Sequence, residues 1–342
     1  MDAATAHGLA EVAAEARARL RRQEPDAAHR VEERYPEMLE ALEWYVGEGQ
    51  PDAAYRLASS LVHFWISTQR IGDGDGWFTE VLAGPAGSEA SRARALYDHG
   101  YLVFWAGRYD VAAERFTQSR TLAAALGDPT LEALALAGSA RVALNTDVDE
   151  AVRLLREAVA VTGGLDDADE GRSSALHVLG VALQMSGDLE GAREVMTRRL
   201  AVGRERGDEF IVWVESANLS MVERRLGNLD RAEELARQAL AIDSGRGDEM
   251  SIAWTLNGLA AVTAAKGDLE RAATLNGTAA AMLERAGGEW PPDERKQYED
   301  TLATLTSGLA PDVLEDARAR GAAMRVDAAV AYAVGRSSEP RP

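Results

Sequence analysis

The chain of 342 residues contains no cysteine. Disulfide bridges, thiolate metal sites and cysteine nucleophiles are therefore excluded together. Long hydrophobic runs are also missing: no stretch of about eighteen consecutive apolar residues occurs, so no transmembrane helix is expected. The N-terminal segment MDAATAHGLAEVAAEARARLRR carries Glu11 and Glu15 where a signal peptide would need an unbroken apolar stretch. The expected location is cytoplasmic. Lysine is almost absent, Lys266 and Lys296 being the only two, so nearly all positive charge is arginine, which with the abundant alanine suggests a GC-rich bacterial source. Basic charge as a whole is in deficit, with 37 Lys and Arg against 56 Asp and Glu and a formal net charge of −19. A surface dominated by carboxylates repels a phosphate backbone, so direct nucleic-acid binding is not expected.

Catalytic and metal motifs are missing as well. No GxxxxGK[ST], GxSxG, SxxK or HExxH occurs, and no two of His7, His29, His63, His99 and His177 lie three or four residues apart, as a helical metal pair requires. The run GDGDGWF at 72–78 resembles a calcium loop only in its alternating aspartates, Asp73 and Asp75; Trp77 stands where an oxygen ligand is needed, and a turn joining two helices is expected there. The acidic cluster Asp166, Asp167, Asp169 and Glu170 reads as a solvated cap at a helix N-terminus. No enzymatic activity, cofactor or metal is expected.

What the chain has is internal repetition. AGRYDVAAERF, SGDLEGAREVM, LGNLDRAEELA and KGDLERAATLN share a turn glycine, an apolar residue two positions later and an alanine five positions later. Those glycines, Gly107, Gly187, Gly227 and Gly267, are 80, 40 and 40 residues apart, and TDVDEAVRLL supplies a degenerate copy with Thr146 at the glycine position. A second series, Gly127, Gly207, Gly247 and Gly287, has the same spacings and marks helix C-termini, with Asp208 and Asp248 placed as N-caps of the helices that follow. Two interleaved series mean two helices per repeat of 40 residues. In LDRAEELARQALAI, Leu229, Ala232, Ala236, Ala239 and Leu240 share one helical face and the charged residues take the other. The expected fold is an all-α solenoid of stacked helical hairpins. Its expected parts are an N-terminal capping helix (1–34), divergent hairpins (35–90), repeats (91–288), closing helices (289–335) that either cap the solenoid or mediate dimerisation, and a disordered tail (336–342).

These residues resemble tetratricopeptide (TPR) repeats, best in ALHVLGVALQMSGDLEGAREVM, where Leu179, Gly180, Leu183, Gly187, Ala192 and Met196 occupy the family positions. Nearly the whole chain, from EMLEALEWYVGEGQPDAAYRLASSLVHFW to VDAAVAYAVG, also resembles the C-terminal MalT-like sensor region of SARP/LuxR-type ATPase transcriptional regulators, without their ATPase and DNA-binding domains.

The TPR resemblance implies a concave groove lined by fixed positions of each first helix. Counted back from each turn glycine, those positions carry Arg94, Tyr97, Tyr101, Phe104 and Trp105 in the first copy, and His177, Gln184 and Met185 in the third. Met221, Arg224 and Arg225 follow in the fourth, and Trp254 and Asn257 in the fifth. An aromatic cluster heads the groove and a polar, basic set follows. The expected function is a non-enzymatic binding module, a sensor or regulatory partner that takes a protein or peptide, or a small apolar effector. The alternatives are a closed pocket that sequesters a hydrophobic metabolite and, further off, chemistry by His177 flanked by Arg224 or Arg225.

Overall fold

The computed structural model describes residues 1–335 apart from Gln23, Pro25, Asp248 and Pro291. The expected N-cap at Asp248 and the expected tail 336–342 lie outside the described residues. Among those residues the chain forms eighteen α-helices and no strand. It divides into two compact units, Met1–Ala182 and Leu183–Pro342.

The first unit opens with α1 (Ala3–Arg21), α2 (Ala27–Glu32), α3 (Tyr35–Gly47), α4 (Pro51–Ser67) and α5 (Ile71–Ala83). In it α1 lies against α4, flanked by α2 and α3, around a core in which Phe64, Trp65 and Phe78 are fully buried. The expected turn at 72–78 is instead the interior of α5. Three glycines there weaken the helix by about 1 kcal/mol each relative to alanine, but the packing requires one of them: a Cβ on Gly74 would stand 2.5 Å from the Trp65 indole. The aspartates serve separate partners. Asp73 accepts from the Tyr35 hydroxyl at 3.1 Å, and Asp75 pairs with His99 Nε2 at 2.9 Å and with Arg108.

Regular hairpins follow: α6 (Glu89–Trp105), α7 (Tyr109–Leu126), α8 (Pro129–Ala143), α9 (Val148–Val161) and α10 (Glu170–Ser186), whose last turn belongs to the second unit. Each of α6, α7 and α8 packs on the next helix. Phe116 of α7 fills a slot between α6 and α8, where a Cβ on Gly100 or Gly138 would meet its ring at 2.9 or 2.5 Å. The helices stop and start by local chemistry. Gly127 takes φ +67° at the end of α7, a conformation that costs a side-chain-bearing residue 1–2 kcal/mol by the usual estimate, roughly, and Asp128 caps α8 by accepting from Leu131 N–H at 2.9 Å. The degenerate copy manages without glycine, since Asp147 caps α9 through Glu150 N–H at 3.0 Å.

The second unit continues with α11 (Leu189–Arg206), α12 (Glu209–Arg225), α13 (Leu229–Arg246), α14 (Glu249–Ala265) and α15 (Leu269–Arg285), again packed in sequence. The expected N-cap Asp208 accepts from Ile211 N–H at 3.1 Å. On α13, Ala232, Ala236, Ala239 and Leu240 form the buried face. The unit closes with three helices: α16 (Pro292–Gly308), α17 (Pro311–Ala322) and α18 (Val326–Ala333). Here the order changes, because α17, not α16, is the closing helix that packs most on α15, while α16 lies on α14. The α15–α17 crossing is backbone to backbone: a Cβ on Gly321 would sit 2.0 Å from the Thr274 carbonyl oxygen, and Thr278 Oγ1 donates to the Gly321 carbonyl at 3.1 Å.

Candidate functional site

The first helices of the hairpins carry the expected lining. In the first unit, α6 bears an aromatic ladder because its residues at three- and four-residue steps share one face. Tyr97 is buried and packs on Phe116; the Tyr97 and Tyr101 rings lie 6.2 Å apart, and Tyr101 and Trp105 are edge to face at 6.2 Å. Phe104 bridges Trp105 and Tyr109 at 5.8 and 5.6 Å. The ladder therefore runs from the core outward, and Trp105 ends it 54% exposed. With exposed Tyr109 and half-buried Tyr101 and Phe104 it forms an apolar patch, and a patch, unlike a lone exposed side chain, marks an interaction surface.

Beside the ladder stands a charge network that α1 completes. Arg94 donates through Nε to Asp98 at 3.0 Å and through Nη1 to Glu170 at 3.0 Å. Arg17 of α1 makes a two-pronged contact with the same Asp98 at 2.8 and 3.1 Å, and Arg21 pairs with Glu170 at 3.0 Å. Burial of Asp98 works against its charge, but Arg17 and Arg94 outweigh burial and hold the carboxyl at about 2. The same competition, won by Arg94 and Arg21, keeps Glu170 below the usual carboxylate range. The acidic cluster at 166–170 is thus more than a solvated cap: Asp169 does cap α10, accepting from Gly171 and Arg172 N–H at 3.0 and 3.1 Å, while Asp167 pairs with Arg172 at 2.7 Å. His63, edge to face with Tyr101 at 5.7 Å, is pushed down to about 3 by burial and then by Arg17, so its imidazole is neutral at physiological pH. Arg141 of α8 lies with its guanidinium 5.9 Å from the Tyr101 ring centroid, and no carboxylate is within ion-pair distance of it among the described residues. His177 is half-buried on α10.

In the second unit the expected lining residues are less exposed. Gln184, Met221 and Asn257 are buried, Trp254 and Arg224 are half-buried, and Met185 and Arg225 are exposed. Arg225 Nη1 donates to the Gln184 carbonyl at 2.7 Å. Trp254, like Met250, Trp290 and Tyr332, packs against the buried cluster that contains Leu256 and Leu259. Asn257 does not face an open groove: its Nδ2 donates to the Glu294 carbonyl and carboxylate at 3.1 and 2.7 Å. A cleft of about 520 Å³ lies elsewhere, between α15, α16 and α17, lined by Ala280, Leu309, Leu314 and Arg318 among others.

Several residues here carry no repeat signature: Arg17, Arg21, His63, Arg141 and Glu170. Asp98 is the exception, since its spacing of four from Arg94 is a helical ion-pair signal. Among the described residues no group of His, Asp and Glu could hold a metal ion, and no helix is long and apolar enough to cross a membrane.

With this geometry in view, the chain can be compared with known proteins. A tetratricopeptide repeat family model matches residues 210–285, which are α12 to α15. Proteins of Mycobacterium tuberculosis and Mycobacterium bovis, provisionally named HTH-type transcriptional regulators, are 27% identical over 206 residues. That match covers 56% of this chain but 23% of theirs, so the chain spans about a quarter of the length of the curated relatives it matches. Among solved structures, the apo form of RapI aligns with a TM-score of 0.56 at 12% identity, covering 96% of this chain and 97% of that one. NprR in complex with its cognate peptide NprX aligns with a TM-score of 0.51 at 13% identity, over 87% of this chain and 82% of that one. At such identities the likeness concerns the fold alone. The fold is a TPR-like α-solenoid of helical hairpins.

Proposed function

We propose that this protein is a binding module without chemistry of its own, a sensor or regulatory partner in the cytoplasm that holds a peptide or protein segment on the first-helix face. The observation that carries this reading is the α6 ladder, which presents Tyr101, Phe104 and Trp105 outward from a buried base beside the Arg94 network. Aromatic anchors next to Arg141, which has no carboxylate at ion-pair distance among the described residues, suit a peptide, whose side chains supply apolar groups and whose ends and acidic residues supply charge. The NprR–NprX complex supports the reading through a shared fold, and the 27% likeness to regulators supports a regulatory setting.

Affinity capture from native extract, with mass spectrometry of retained proteins and small molecules, tests it. The expected result is a specific protein or peptide that the Tyr101→Ala/Trp105→Ala double variant no longer retains. A retained apolar metabolite with no polypeptide, or capture indifferent to the double substitution, overturns it.

A further inference from the structure

The first-helix face of the second unit already carries a helix. α16 lies on α14, and its polar side chains meet expected lining positions: Glu294 accepts from Asn257, Gln297 Nε2 donates to the Glu294 carboxylate at 3.3 Å, and Arg224 Nη2 reaches Gln297 Oε1 at 3.4 Å. Gln297 is 3% exposed. Further along α16, Leu305 is fully buried with Ala264, Ala272 and Ala273. The C-terminal half of α16 is therefore seated by apolar contact, and the N-terminal half by amides and one carboxylate.

That polar half is imperfectly satisfied. Arg224 Nε and Asn257 Oδ1 are sealed from solvent with no hydrogen-bond partner. No carboxylate lies within ion-pair distance of Arg224 among the described residues. Burial, followed by the neighbouring Arg225, lowers the Arg224 pKa, and Asp300 and Glu294 only partly offset this. A half-buried guanidinium that meets a neutral amide at long range leaves most of its binding capacity unused, because charge-assisted bonds to a carboxylate are roughly twice as strong as neutral ones. Gln297 differs from that better partner by one amide nitrogen.

We propose that this face is a helix-binding groove for a partner segment bearing a carboxylate at the register of Gln297, and that the polar half of α16 is its resident place-holder. The inference rests on the reading of the chain as a peptide-binding module and adds a location and a ligand chemistry. Charge complementarity with Arg224 selects the occupant, and α16 itself shows that the face accepts a helix. The anchoring of α17 on α15 uses its own backbone contacts, so it does not depend on the α16 amides.

Two measurements on the full chain test the proposal. In hydrogen exchange, Glu294→Gln/Gln297→Glu supplies the carboxylate from within and removes the like charge that Glu294 would set against it; the amides of residues 294–301 are expected to exchange about ten-fold more slowly than in the Glu294→Gln chain, the effect of about 1.4 kcal/mol. Adding Arg224→Gln should abolish the slowing. Exchange no slower than in the Glu294→Gln chain overturns the proposal. In the second measurement, a fluorescein-labelled peptide of residues 292–308 carrying Glu294→Gln and Gln297→Glu is titrated into the Glu294→Ala/Gln297→Ala chain, whose own α16 is loosened. Saturable binding is expected, weakened about ten-fold or more by Arg224→Gln or by a Glu294→Gln/Gln297→Glu chain. No binding up to roughly 1 mM, the effective concentration of a tethered competitor, or equal binding to all three chains, overturns it. Neither measurement involves the α6 ladder, so their failure removes this groove alone, whereas failure of the capture experiment removes the broader reading.

Discussion

Arg94 and Arg224 occupy the same kind of position, on the first-helix face of a hairpin, and meet opposite fates. Arg94 sits between two carboxylates, Asp98 and Glu170, that also pair with Arg17 and Arg21. Arg224 has an amide at 3.4 Å and a repelling neighbour in Arg225. A saturated arginine ties helices together and resists substitution. An unsaturated one contributes little to the fold, and under the proposal above it is the one left to attract a ligand. On that proposal the difference separates structural charge from recognition charge within one repeat architecture.

The largest test of that contrast is Asp98→Ala. Removing one partner of a buried pair strands the others, which typically costs about 3–5 kcal/mol, and here two arginines each lose one acceptor, Arg94 keeping Glu170 and Arg17 the Ser59 carbonyl. Urea unfolding monitored by circular dichroism should show a loss of that order; a loss below about 1 kcal/mol would mean that the network is ornamental. Acid should act on the same place more gently. The folded-state pKa of Asp98 is depressed to about 2, so its contribution is complete above the unfolded value near 3.9 and is lost as pH falls toward 2, amounting to about 2–3 kcal/mol. His63 acts earlier. Its folded pKa of about 3 lies below its unfolded value, so the unfolded chain binds the proton first and stability declines from about pH 6.5 downward. His63→Gln should flatten the melting-temperature profile between pH 6 and 4, by the same linkage, approximately, while leaving the steeper fall below pH 4. The smallest expected effect is that of Arg224→Met, within about 0.5 kcal/mol of the wild type or slightly stabilising, since an apolar side chain replaces a half-buried cation with no carboxylate partner. A thermal melt that drops as far as that of Asp98→Ala would erase the contrast.

The repeat architecture was legible because it is local. A turn glycine with an alanine five residues on, or an aspartate just before a helix, states its role within a few residues, and Gly127, Gly207 and Asp208 adopt the conformations and bonds those signals describe. The α5 segment misled for the same reason: its glycines signal a turn locally, while the Trp65 ring that needs Gly74 as a flat surface comes from another helix. Arg17 and Asp98 are 81 residues apart in the chain, and nothing near either announces the other. The position of α16 was equally hidden. Its sequence reads as a closing helix, but its packing on α14 depends on α17 taking the place beside α15, which the small residues Gly277 and Gly321 permit.

The scarcity of lysine acquires a practical meaning from the fold. Lys296 lies on α16, its side chain 75% exposed and held only by Asp300 at 2.9 Å, whereas Lys266 is clasped by Asp230 and Glu233 at 2.7 and 2.6 Å. Amine-reactive dyes thus have few targets besides the chain's amino terminus, and one of them rides on the helix whose displacement is at issue. The native chain carries its own attachment point for an optical reporter of that motion.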